Sequence, residues 1–229
     1  MKKFICFSFS IMFSAFSVQA QDTGLSPSSL KLAVYKFAVS TSGDCTNLTT
    51  VIDNGNTPVD VEFVGGVNIG AGTIAPGTYP CVVVEFSDNI KFTSATNSTS
   101  TNCSTAVENT VDVCRGGMGS TSVLIDGTTT TCTNAANRVA MYLSTASVGG
   151  NSDAFNRPLT SGVGSDANFG FNLAAALSVT GSASGKFVVN PAGKVCDNNS
   201  AACDGGPGGT GVGTGACMME PPSFSFTQL

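Results

Sequence analysis

Eight cysteines in a chain without a single histidine set the terms on which this sequence folds. They are Cys45, Cys81, Cys103, Cys114, Cys132, Cys196, Cys203 and Cys217, and a ninth, Cys6, lies inside an apolar leader. An even set in an exported chain reads as a framework of up to four disulfides. No two of the eight stand as C-x-x-C, the spacing a thioredoxin-like redox centre needs. Without imidazole, a zinc site would require four thiolates at irregular spacing, so structural disulfides are the expectation. Eight cysteines allow about 105 pairings. Loop length alone favours Cys103–Cys114 and Cys196–Cys203. A closed loop of about fifteen residues contributes roughly 3 kcal/mol by restricting the unfolded chain.

The leader supplies the export. Lys2 and Lys3 precede an uncharged run, Phe4 to Val18, and Val18-Gln19-Ala20 places small residues where a signal peptidase cuts. The run is too short to span a bilayer comfortably. Residues 1–20 are therefore expected to be a cleaved secretory signal and residues 21–229 one β-domain, with no membrane span in the mature chain. The destination is the periplasm, the cell surface or the medium. The short Lys-Lys signal indicates a bacterial chain. Net charge is −5 and becomes more negative once Lys2 and Lys3 are removed. With no basic cluster, binding to nucleic acid or anionic lipid by counterion release is excluded.

Helical periodicity is absent. Short apolar or alternating runs recur between clusters of Gly, Asn, Asp, Ser and Pro, the pattern of strands and turns. Strands are expected at Leu30–Val39, Val59–Val64, Tyr79–Phe86, Ile90–Thr93, Val111–Cys114, Ser122–Ile125 and Arg138–Ser144. In the second of these, Val59, Val61 and Phe63 share one face. Further on, Phe169–Thr180 and Lys186–Asn190 flank Gly181–Gly185, which suits a hairpin loop, and Ser223–Thr227 alternates as a closing strand. Leu173–Leu177 reads as strand although its alanines favour helix. Asp204–Gly215 is a glycine-rich loop. A faint echo between Val34-Tyr35 and Met141-Tyr142, each followed by a Ser/Thr-rich run, allows for two similar halves. The expected fold is an all-β, antiparallel, disulfide-stapled β-sandwich with long Gly/Ser/Thr-rich loops.

Absence of histidine removes Ser-His-Asp and Cys-His catalysis and every imidazole-ligated metal. Ser28-Ser29-Leu30-Lys31 matches S-x-x-K and Ser87-Asp88-Asn89 matches S-D-N. The third motif of that set, K-T-G, is missing, and the first serine leads into a strand where the enzymes open a helix. Glu62 and Glu85 are the candidate carboxylate pair for glycoside hydrolysis, although the chain has no Trp and only three Tyr to line a sugar cleft. Asp197, Asn198, Asn199 and Asp204 offer hard oxygen ligands for calcium without an EF-hand or nonapeptide pattern. Lys31 or Lys36 with Glu62 or Glu85 would be the components of an intramolecular isopeptide, but the last strand has no Asn or Asp to accept the bond.

The run Leu32-Ala33-Val34-Tyr35-Lys36-Phe37-Ala38-Val39-Ser40-Thr41-Ser42-Gly43-Asp44-Cys45, with Gly77-Thr78-Tyr79-Pro80-Cys81-Val82-Val83-Val84-Glu85-Phe86-Ser87-Asp88, resembles uncharacterised secreted bacterial β-sandwich proteins. It also resembles prealbumin-like sandwiches, in which a G-x-Y-x segment enters a central strand. Lys186–Asn190 and Pro221-Pro222-Ser223-Phe224 add to the first resemblance. It implies fold and export, and carries over no functional residue. The expectation is a non-enzymatic structural or adhesive β-domain of a bacterial envelope, without cofactor, whose partner is a surface glycan, a protein or another copy of itself. The alternatives are a pilin-like subunit donating Ser223–Thr227, a glycan- or calcium-dependent binding module, and a secreted carboxylate hydrolase.

Overall fold

In the computed structural model one strand, β1 (Pro27–Ser40), organises the sheet, because both of its edges are paired along most of its length. The structure describes residues 23–65, 72–99, 101–114, 121–133, 135–147, 154–158, 169–181, 185–197, 217–220 and 222–228. The expected signal, residues 1–20, lies outside them.

The apolar residues of β1 alternate as Leu30, Leu32 and Val34, then change phase to Phe37 and Val39, and all five are buried in one core. A β-bulge between Val34 and Lys36 makes the change, since the register against the neighbouring strand shifts there. One extra residue turns the following side chains to the opposite parity and keeps the same face of the sheet apolar.

Along one edge of β1 lie β2 (Thr49–Asp53) and β3 (Val59–Glu62), end to end. After the short β4 (Gly77–Tyr79), β5 (Cys81–Ser87) and β6 (Asn89–Ser94) run end to end along the other edge, with Asp88 between them. Beyond β6 comes β7 (Glu108–Asp112), and beyond β5 comes β10 (Arg138–Ser144). β7 and β10 thus occupy one lane. The chain leaves that lane after Asp112 and re-enters it at Arg138. The excursion carries β8 (Thr121–Val123) and β9 (Thr129–Thr131), an antiparallel ribbon. β11 (Phe171–Asn172) lies parallel beside β10, the one parallel pairing among the described residues.

Three further antiparallel ribbons pair β12 (Leu177–Val179) with β4, β13 (Gly185–Asn190) with β16 (Ser223–Gln228), and β14 (Val195–Asp197) with β15 (Cys217–Met219). Their Tyr79, Leu177, Val179, Val189, Val195, Met218 and Phe224 enter the same core as Val82, Val84 and Phe86 of β5 and Val139, Met141 and Leu143 of β10. Burying each such side chain is worth about 1.5–3 kcal/mol, so this shared core is the main source of stability. The all-β expectation holds, with no helix among the described residues.

Several expectations need correction. Gly181–Gly185 does not close a hairpin, because β12 pairs with β4 while β13 pairs with β16. The run Tyr79–Phe86 is split at Pro80, which has no N–H to give a ladder. Val59 is 51% exposed and does not join Val61 and Phe63 in the core. The echoing segments around Tyr35 and Tyr142 are β1 and β10, the two neighbours of β5 in a single sheet.

Disulfides join Cys45 to Cys81, Cys103 to Cys217 and Cys114 to Cys132. The Cys103–Cys114 expectation is therefore wrong. Cys103 lies in the loop before β7 and is pointed at β15, whereas Cys114 follows β7 and faces the end of β9. Cys196 is also disulfide-bonded. Its expected partner, Cys203, lies outside the described residues. The Cys103–Cys217 bridge spans 114 residues, and Cys114–Cys132 spans 18. Loop-closure entropy predicts that replacing both Cys103 and Cys217 by Ala costs about 4–5 kcal/mol, against about 3 for the Cys114/Cys132 double variant. Urea unfolding of the two variants gives the order, and equal losses would show that loop length does not govern it.

Candidate functional site

The sheet has a second face, and its polar groups gather there. On β5 the residues alternating with the core, Cys81, Val83 and Glu85, point outward beside Ala140 and Tyr142 of β10. The Cys45–Cys81 disulfide closes one end of this patch. The excursion between β7 and β10 covers the rest, with Leu124 and Ile125 packed against it.

Three polar contacts dock this flap. The Tyr142 hydroxyl donates to the Val123 carbonyl at 2.5 Å. The Ser122 hydroxyl accepts the Ala140 N–H at 2.8 Å. The Ile125 N–H donates to Glu85 Oε2 at 3.1 Å. Burial pushes the Tyr142 phenol well above its usual range, so it stays a neutral donor. Glu85 is fully buried and would be costly alone, but Arg138 donates from Nε to Glu85 Oε1. Arg138 lies two residues from Ala140, the cross-strand partner of Glu85, so both side chains emerge on one face. Its guanidinium sits 4.5 Å from the centre of the Tyr35 ring and donates to Asn56 Oδ1 at 3.3 Å. Tyr35 is the residue that the β1 bulge displaces from the ladder.

Both ends of the flap are tied at one residue. Asp88, in the break between β5 and β6, donates its N–H to the Asn137 carbonyl at 3.0 Å. Its carbonyl accepts the Val113 N–H, also at 3.0 Å. Its Oδ1 accepts the Asn137 N–H at 2.7 Å. Asp88 is wholly buried, and Oδ2 has no hydrogen-bond partner among the described residues. Burial raises its carboxyl to about pH 6, against the pull of the Asn137 hydrogen bonds and with a further push from the charge of Asp112.

The expected catalytic and binding residues are dispersed. Glu62 faces Lys31 across one edge of β1, and Glu85 faces Lys36 across the other. Five residues along β1 at about 3.3 Å each, with two inter-strand spacings of about 4.8 Å across it, set the two positions roughly 19 Å apart, far beyond the ~5–10 Å of a glycosidase pair. Glu62 accepts hydrogen bonds from Ser29 Oγ at 2.6 Å, Leu30 N–H at 2.8 Å and Val64 N–H at 2.9 Å. Burial pushes its pKa up, but these three bonds outweigh it and hold the group below its ordinary value. Lys31 binds Glu108 at 2.7 Å, and Lys36 binds Asp53 at 3.4 Å, so neither lysine is committed to the carboxylate it faces. Ser28 donates to the carbonyls of Thr93 and Ser94 from within β1. Lys31 is bonded to Glu108, so the serine hydroxyl and the ammonium each have a structural partner.

Of the hard-oxygen cluster, Asn198, Asn199 and Asp204 lie outside the described residues. Asp197 is buried in β14, where it accepts from Ser98 Oγ and from Asn102 Nδ2, the latter at 3.3 Å. No group of three or more acidic or thiol ligands gathers among the described residues. The terminal segment Ser223–Gln228 is already paired with β13 in its own chain. No helix among the described residues is long and apolar enough to cross a membrane.

Arg138, Asp88 and the Ser98–Asp197 contact were not found by sequence reasoning. Arg138 carried one signal, a cation at the head of an otherwise apolar strand. Asp88 and Asp197 stood out only as part of S-D-N and of a calcium cluster, and nothing local signalled their burial, because burial is set by partners distant in sequence. No protein-family model, no curated protein and no solved structure matches this chain.

Two outcomes are expected from these carboxylates. Glu85→Gln leaves Arg138 without its counter-charge and costs about 3 kcal/mol in urea unfolding, the low end for breaking a buried pair because Arg138 is 24% exposed at its side chain. Glu85→Gln/Arg138→Met should lose less than the sum of the single variants; strict additivity would mean the pair is not coupled. Glu62 has a depressed folded pKa, so its contribution is present at neutral pH and lost as pH falls through that value. Glu62→Gln should therefore flatten the acid limb of a stability-versus-pH curve, and an unchanged limb contradicts this role.

Proposed function

We propose that this chain is an exported, disulfide-stapled β-domain that serves a bacterial envelope as a non-catalytic structural or adhesive component. The observation that carries this reading is the use made of its carboxylates. Glu62, Glu85, Asp88 and Asp197, the acids with the best claim to chemistry, each fasten backbone or a structural partner. A general acid or nucleophile needs a face open to substrate, whereas Glu62 and Glu85 engage both oxygens with structural partners and Asp88 and Asp197 are wholly buried. Three disulfides support the exported setting, since such bridges persist in oxidising compartments. Charged residues make up only 11% of the chain, so contacts with a partner would be made largely by Ser, Thr, Asn and backbone groups. That composition suits a hydroxyl-rich glycan or an uncharged protein surface.

Export and binding are tested together. The full-length chain, expressed in a bacterial host with a disulfide-forming periplasm, should be recovered outside the cytoplasm with its cysteines unreactive to alkylating agent before reduction. Purified without reductant, it should run as one species of monomer mass by light scattering. It should also be retained by isolated envelope glycan to nearly the same extent at 0.05 and 0.5 M salt, because few charges are available to be screened. Recovery in the cytoplasm in reduced form, turnover of the glycan, or a ladder of multimers would each overturn the reading.

A further inference from the structure

The flap between β7 and β10 is held at both ends by one buried acid, Asp88, of which one oxygen has no partner among the described residues. Asp88 bonds Val113 at the exit of the excursion and Asn137 at its return. The Cys114–Cys132 disulfide adds a covalent tie just inside those points. With the flap closed, Asp88 is wholly buried and its Oδ2 has no donor among the described residues. An ionised carboxylate is penalised in such a place, and a protonated one is not. Opening either end of the flap exposes Oδ2 to water and removes the penalty.

Among the described residues no cation compensates the Asp88 carboxylate. Facing Asp88 from β7 is Asp112, whose charge opposes ionisation. On β10, Arg138 is engaged with Glu85. On β6, Lys91 is bonded to Asp60. On β1 the residues opposite the break are Leu32 and Ala33, and the flanking Lys31 is bonded to Glu108. The segment returning to Asn137 brings only Thr133, Ala135 and Ala136 among its described residues.

We propose that Asp88 is a pH-operated latch on the flap: protonated, it holds the flap closed over Glu85 and Tyr142, and ionised, it lets the flap ends open. The sign follows from proton binding. The closed form keeps the Asp88 proton up to about pH 6, whereas a solvated aspartate releases it near 3.8. Between those values the closed form binds more protons, so acidification favours closure and alkalinisation favours opening. A mildly acid surrounding thus seals the outer face, and a neutral one makes the Glu85–Arg138–Tyr142 patch accessible for part of the time.

The test is amide exchange on the oxidised, exported full-length chain, followed at the N–H groups of Asp88, Val113 and Asn137. After correction for intrinsic exchange, their protection should be about tenfold higher at pH 5 than at pH 7.5. Asp88→Asn, which cannot ionise, should make protection at these amides independent of pH. Asp112→Asn removes the like charge while keeping an oxygen for the Cys114 N–H, and should move the midpoint to lower pH. A wild-type chain with no pH dependence at these amides overturns the proposal, as does a dependence that survives Asp88→Asn. If Asp88→Asn fails to fold, Asp112→Asn decides the matter: an unmoved midpoint assigns the transition to another group.

Discussion

The ladder that β1 makes with four other strands is the constraint from which the rest of the structure follows. Its N-terminal half lies between β3 and β6, and its C-terminal half between β2 and β5. Each neighbouring lane is interrupted midway, and β1 alone crosses the interruption without a break. Its bulge at Tyr35 keeps the apolar face turned to one core on both sides of the crossing. A strand paired on both edges and buried on one face has little freedom to slip, because a one-residue shift would turn Leu30, Leu32 and Val34 outward.

The interruption in the β5–β6 lane is where backbone order and polar chemistry meet. Asp88 would otherwise leave a gap in the sheet, since the lane outside it is vacated between Asp112 and Arg138. Its main chain and carboxylate instead close the ladder at both ends of the excursion. The excursion then has a surface to lie on, because the outward residues of β5 and β10 (Val83, Ala140 and Tyr142) are apolar in body. Glu85 and Arg138 fix its position in a way hydrophobic contact alone would not, as hydrogen bonds are directional and burial is not.

The two pH-sensitive carboxylates work in opposite senses for the same reason viewed from two sides. Glu62 has three donors and prefers its charge; Asp88 lacks a donor on one oxygen among the described residues and prefers its proton. Residue type cannot separate them. The number of hydrogen bonds aimed at each oxygen does, and that number is a property of the folded neighbourhood.

Strand content was legible from local pattern. Arg138–Ser144 coincides with β10, and Leu30–Val39, Ile90–Thr93 and Ser223–Thr227 lie within or largely within observed strands, because alternation and β-branched residues report a half-buried pleat. β2, β9, β14 and β15 escaped, being short and rich in Thr or Cys, so that their pairing partners and not their own sequence make them strands. Loop length misled on Cys103–Cys114, and the Gly181–Gly185 segment looked like a hairpin because its flanks were both strand-like. By itself the sequence determined an all-β chain, cysteines committed to disulfides, and the exclusion of histidine chemistry, since these depend on composition and on contacts within a few residues. Only the tertiary structure decided which cysteines pair, which acids are buried, and that the segment after β7 folds back over the sheet. Those outcomes depend on groups 18 to 114 residues apart being brought within bonding distance, and no local pattern encodes that separation.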